Sequence, residues 1–165
     1  MEDATETTIS RRALATGALW SVPAVAVAVA APAASASTVD LGAFHINGTC
    51  GILGVLGPGF LLTAGPAQPL PVGTTITITG SGIANIGVFS VTGGTATVTV
   101  LGGTSRLITL TGAVSAGAVI AFRTTLSISV AFTLNAVVAI PSGYASTTAK
   151  LTGTVSSTLV LCSAS

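Results

Sequence analysis

"AVIAFRTTLSISVAFTL", residues 118–134, decides the fold. Its even positions run Ala118, Ile120, Phe122, Thr124, Leu126, Ile128, Val130, Phe132, Leu134. Its odd positions run Val119, Ala121, Arg123, Thr125, Ser127, Ser129, Ala131, Thr133. A period of two sends one set to a core and the other to solvent, because successive Cβ atoms of a strand point to opposite faces. Strands usually hold about five or six residues. This run therefore either bends near Thr124-Thr125 or divides into two strands.

The same period recurs on both sides. In "TTITITG" Ile76 and Ile78 share one face, with Thr75, Thr77 and Thr79 on the other. In "ATVTVLG" Val98 and Val100 stand against Thr97 and Thr99. "SRLITLTG" carries Leu107 and Ile108 to Leu110, and "KLTGTVSSTLVLC" alternates through Leu151, Val155, Leu159 and Leu161. Turn residues separate these runs: Gly57-Pro58-Gly59, Gly65-Pro66, Pro69 to Gly73, Gly93-Gly94, Gly102-Gly103 and Pro141-Ser142-Gly143. Each supplies the positive or fixed φ of a tight turn. Asn47-Gly48-Thr49, which also fits a glycosylation sequon, reads as a turn before Cys50. No helical period follows residue 36. Seven or more short strands between turns predict an all-β, antiparallel β-sandwich with Greek-key connections, a small barrel being the alternative. Phe60, Phe89, Phe122 and Phe132 are the expected aromatic core members.

"TAGPAQPLPVGTTITIT" followed by "SAGAVIAFRTTLSISV" resembles the immunoglobulin-like repeat domains of bacterial cell-surface proteins, on Gly65, Pro66, Ala67, Gly73 and Gly117. The resemblance spans about half of residues 37–165. It implies an immunoglobulin-like sandwich in a structural or adhesive role, without catalysis.

The first 36 residues read differently. Arg11-Arg12 precede a run without charge, Leu14 to Ala31, rich in Ala and Val and containing Pro23. The run closes in Ala34-Ser35-Ala36, small residues placed for a signal peptidase, before Ser37. A charged start, an apolar middle and a small-residue end is the layout of a secretory signal. The arginine pair between Ser10 and Leu14 resembles the twin-arginine export signal. The expectation is a helical export signal over residues 1–36, cut between Ala36 and Ser37, and a β domain over 37–165. The partner implied is an export translocase, and no membrane span remains after cleavage. The alternative is a retained anchor, for which the run barely reaches the length of about 20 apolar residues that a spanning helix needs.

Beyond residue 36 the charged residues are Asp40, Arg106, Arg123 and Lys150. Three scattered cations do not track phosphates, which argues against nucleic acid as a partner. Half the chain is apolar, so the low charge is not that of a disordered chain. Cys50 and Cys162 form an even count in an exported chain and read as an intrachain disulfide, against two free thiols or pairing between chains. Closing a loop of about 100 residues contributes roughly 4.7 kcal/mol in the chain-entropy treatment.

Residues that carry catalysis are scarce. Asp40 alone excludes a carboxylate pair. His45 is the one histidine, and on a shared strand Asp40 and His45, five apart, would face opposite ways. No Cys/His cluster suits a metal and no glycine motif suits a phosphate, so no cofactor is expected. Rows of outward threonine fit ordinary strand propensity, although regular rows also match ice or polysaccharide. The chain reads as a secreted or cell-envelope structural or binding module, with a surface protein or polysaccharide as the kind of partner. A self-assembling surface protein is the first alternative, and an enzyme with an unrecognised site the second.

Overall fold

The computed structural model describes residues 37–52, 55–159 and 161–165. Among them no residue is helical. Twelve strands follow one another: β1 Val39–Asp40, β2 His45–Thr49, β3 Gly59–Thr63, β4 Thr75–Ser81, β5 Phe89–Thr92, β6 Ala96–Gly102, β7 Ser105–Leu110, β8 Val119–Thr124, β9 Phe132–Ala139, β10 Tyr144–Ala145, β11 Thr152–Thr158 and β12 Leu161–Ala164. A six-stranded antiparallel sheet has the order β12-β11-β9-β4-β7-β6, and a four-stranded antiparallel sheet the order β2-β3-β8-β5. The short strands β1 and β10 pair in parallel. The expected helix over residues 1–36 lies outside the described residues.

Residues 118–134 divide as the second of their two readings required. β8 ends at Thr124 in the four-stranded sheet, and β9 starts at Phe132 in the six-stranded one. Between them Leu126 and Ile128 are only half-buried and Val130 is exposed. The crossing segment is pinned from inside. The Thr124 hydroxyl donates to the Ile86 carbonyl and accepts from the Leu126 amide. The Ser157 hydroxyl donates to the Ile128 carbonyl at 2.6 Å.

The core lies between the two large sheets. Ile76, Ile78, Ile108, Leu110, Leu134 and Val155 come from one sheet, and Ile46, Phe60, Leu62, Ile120 and Phe122 from the other, all fully buried. Each such side chain contributes about 1.5–3 kcal/mol relative to exposure. The four phenylalanines expected inside are buried, and Phe44, just before β2, joins them.

Three readings need correction. Asn47-Gly48-Thr49 is not a turn but the end of β2, opposite Leu61, Phe60 and Gly59. The strand continues because Gly48 must pass close to β11, where a Cβ would stand 2.1 Å from the Thr154 carbonyl oxygen. Leu159 and Leu161 are not core residues. Leu159 takes φ 69° in the turn joining β11 to β12, and both are exposed. In β7 the inward residues are Arg106, Ile108 and Leu110, so Leu107 faces out.

Candidate binding surface

Cys50 and Cys162 are joined, with Cα atoms 5.8 Å apart and a sequence separation of 112. Cys50 follows β2 and Cys162 lies in β12, so the bond ties an edge of one large sheet to an edge of the other. Beside it the Gly48 amide donates to the Ser165 carbonyl at 2.8 Å, and the Ile46 amide to the Lys150 carbonyl at 3.0 Å. This side of the sandwich is closed by covalent and backbone bonds together.

A shallow groove opens at the disulfide end, with a volume of about 240 Å³. Ile52, Leu56, Pro58, Leu126 and Ile128 contribute its apolar lining, and Thr125 and Ser127 its hydroxyls. A second depression, of about 440 Å³, lies between Leu41, Pro69, Pro71, Val72 and Tyr144. Neither holds a carboxylate, an imidazole or an ammonium group.

A third surface is the outer face of the six-stranded sheet. Register places Thr97, Thr109 and Thr75 in one row across β6, β7 and β4. Thr79, Asn135 and Thr154 form a second row across β4, β9 and β11. Thr133, Ser156 and Ser163 form a third across β9, β11 and β12. Strand and residue spacings give this lattice a repeat of about 4.8 Å across strands and about 6.7 Å along them. Some hydroxyls are paired already: Thr154 donates to Asn135 Oδ1 at 3.1 Å, and Ser156 and Ser163 share a bond of 2.8 Å. Leu107 and Val137 flank Thr77 and add an apolar spot at the centre.

Arg106 is the one charged residue in these six strands, and it points inward, 5% exposed. Its Nη1 donates to the carbonyls of Gly102, Gly103 and Ser105, and its Nη2 to Asn85 Oδ1 and the Gly87 carbonyl. A buried guanidinium is tolerable only when its donors are used, and here carbonyl dipoles take the place of a counter-charge. It clamps the β6–β7 hairpin to the 82–88 loop. The outer face is left without charge.

Asp40 and His45 occupy different strands, β1 and β2. Both Asp40 oxygens are engaged, one with the Gly42 amide and one with the Thr147 hydroxyl. The His45 ring has no hydrogen-bond partner among the described residues. No three His, Cys, Asp or Glu side chains converge among those residues. Lys150 donates to Asn47 Oδ1, and Arg123 to the Gly57 carbonyl. Of the residues expected to form an export signal and its cleavage site, Arg11, Arg12, Ala34 and Ala36 lie outside the described residues, and Ser37 is the first described.

The surface feature that residue-by-residue reading misses is the joining of the threonine rows. Each run shows its own alternation, but only pairing order puts β6, β7, β4, β9 and β11 side by side. No protein-family model, curated protein or solved structure matches the chain.

Proposed function

We propose that the chain is an exported structural or binding module of the cell envelope, with an immunoglobulin-like scaffold that holds surfaces in place and performs no chemistry. The observation that carries the reading is the outer face of the six-stranded sheet. It offers rows of hydroxyl and amide groups with no titratable side chain among them. Such a face forms many neutral hydrogen bonds and supplies neither acid nor base. An uncharged, hydroxyl-rich polysaccharide is the chemistry it complements best. Export is supported by the Arg11-Arg12 leader and by the disulfide, since such bonds persist in oxidising compartments.

Fractionation of the native cell tests both halves. The protein is expected in the envelope or medium, oxidised, and retained on deproteinised envelope polysaccharide. Thr77→Glu with Thr109→Glu should abolish that retention without changing the fold. A reduced cytoplasmic protein would overturn the export reading. Retention unaffected by the two substitutions would overturn the assignment of the face.

A further inference from the structure

We infer that the outer edge of β6 is an interface at which a second copy of this chain adds its own β6 across a two-fold axis. The phase of the ladder shows which groups the edge offers. The Thr111 amide donates to the Thr95 carbonyl at 3.0 Å, while the Leu110 amide turns the other way, to Thr74, at 2.9 Å. Hydrogen-bonded pairs alternate along an antiparallel ladder. Thr97 and Thr99 therefore bond to Thr109 and Leu107 of β7. The backbone groups of Ala96, Val98 and Val100 point away from β7, and no strand pairs with that side of β6 among the described residues.

The other outer edges of the two large sheets are guarded or short. β2 meets Lys150 and Ser165 through backbone bonds. β12 has four residues and carries the disulfide. β5 has four residues. β6 has seven, with no proline and no charged residue. Its irregularity falls between Val100 and Gly102, at the hairpin end, so residues 96–100 stay regular. Natural sheets avoid such an edge, because its row of free donors and acceptors templates another strand.

The sequence of β6 suits itself as that strand. Antiparallel pairing centred on Val98 sets Val98 against Val98 of the second copy, and Ala96 against Val100. All of these residues have outward backbone groups, so every pair is hydrogen-bonded. Thr97 then stands opposite Thr99 on the outer face, in the closer, non-hydrogen-bonded spacing that suits threonine pairs. Val100, 67% exposed, gains apolar cover from the second copy. The nearest charge, Arg106, is turned inward, so no like charges meet across the axis. The contact is isologous and closes at a dimer. It also extends the hydroxyl face into one sheet of doubled width. The inference rests on the strand order and holds whether or not the export reading does.

Sedimentation equilibrium of the purified chain over a concentration series tests it. Dimers are expected. Thr97→Lys with Thr99→Lys places like charges opposite each other and should weaken dimerisation by about tenfold or more, with the far-UV circular dichroism unchanged. A second measurement stands apart from that variant's folding. Val98→Cys should cross-link two copies under mild oxidant, since facing Cα atoms about 5.5 Å apart suit a disulfide. Thr77→Cys, in the middle of the sheet, should not. A monomer at every concentration, dimers indifferent to the lysine pair, or equal cross-linking at both cysteines would each overturn the proposal. So would a monomer whose Val98 amide is protected from exchange, which would mean that residues 1–36 cover the edge.

Discussion

The amide of Gly48 donates to the carbonyl of Ser165 at 2.8 Å, and the Thr154 amide donates to the same oxygen at 3.0 Å. One acceptor thus joins β2 of the four-stranded sheet to β11 of the six-stranded one. The approach depends on Gly48 lacking a side chain.

Gly48→Ala should therefore destabilise the fold. The added Cβ would meet the Thr154 oxygen at 2.1 Å and Val155 Cγ2 at 2.7 Å, neither of them the free end of a flexible chain. Overpacking of this kind costs about 1–3 kcal/mol. Gly102→Ala is the control, for nothing lies within 4 Å of its added Cβ. It should be neutral, or stabilising by about 0.4–1 kcal/mol through the unfolded chain. Urea midpoints of both variants against wild type decide the matter, and equal losses would argue that β2 and β11 are not in close contact.

Cys50→Ser with Cys162→Ser should cost about 2–5 kcal/mol and leave an all-β spectrum. The bond joins positions 112 apart in sequence, but the alternation that specifies the strands lies between its ends. Thiol titration of the native protein should find none free until it is denatured and reduced. Free thiol in the folded protein, or an unchanged denaturation midpoint in the variant, would count against the bond as a support.

Arg106→Met should destabilise more than Arg123→Met. Removing the Arg106 guanidinium strips donors from the carbonyls of Gly102, Gly103, Ser105 and Gly87, the last two half-buried, and from Asn85, at a cost of about 3 kcal/mol. Arg123 makes one bond, of 3.2 Å, to Gly57, and its loss should stay within about 1 kcal/mol. Arg106→Lys should fall between wild type and Arg106→Met, because an ammonium reaches fewer of the five acceptors. A calorimetric series of the three variants gives the ranking, and a reversal would mean that the clamp contributes nothing.

Parity alone identifies most of this core. Ile76 and Ile78, Ile120 and Phe122, and Phe132 and Leu134 are buried on the faces their alternation assigns. Arg106 shares the parity of Ile108 and Leu110, so its inward direction was written in β7. Its charge argued for solvent, and the carbonyls that accept its donors come from loops whose positions no local pattern gives. Gly48 shows a different limit. Asn-Gly has the chemistry of a turn, and only contact with β11, a hundred residues away, makes it a strand that needs a glycine. Leu159 and Leu161 kept an alternating spacing across a turn, where spacing no longer specifies a face. The hydroxyl face followed the same rule as the glycine. Its rows are local facts, and their union is a fact of topology.

The last prediction concerns Arg11 and Arg12. Lysine keeps the positive charge of arginine but not its planar fork of donors, so Arg11→Lys with Arg12→Lys separates recognition of guanidinium from attraction to charge. The apolar run from Leu14 to Ala31 is untouched by the exchange, and any general affinity for membranes stays with it. If a twin-arginine translocase reads the pair, the double variant should accumulate as uncleaved precursor inside the cell. Wild-type protein recovered outside should begin at Ser37, after the Ala34-Ser35-Ala36 stretch. The two readouts are independent, since the first tests the arginines and the second tests the small residues. Immunoblots of cell and medium report the first, and N-terminal sequencing the second. Normal export of the double variant with a start at Ser37 would leave secretion standing and remove the twin-arginine route. Recovery of an exported chain that still carries Arg11 and Arg12 would instead make the leader an anchor.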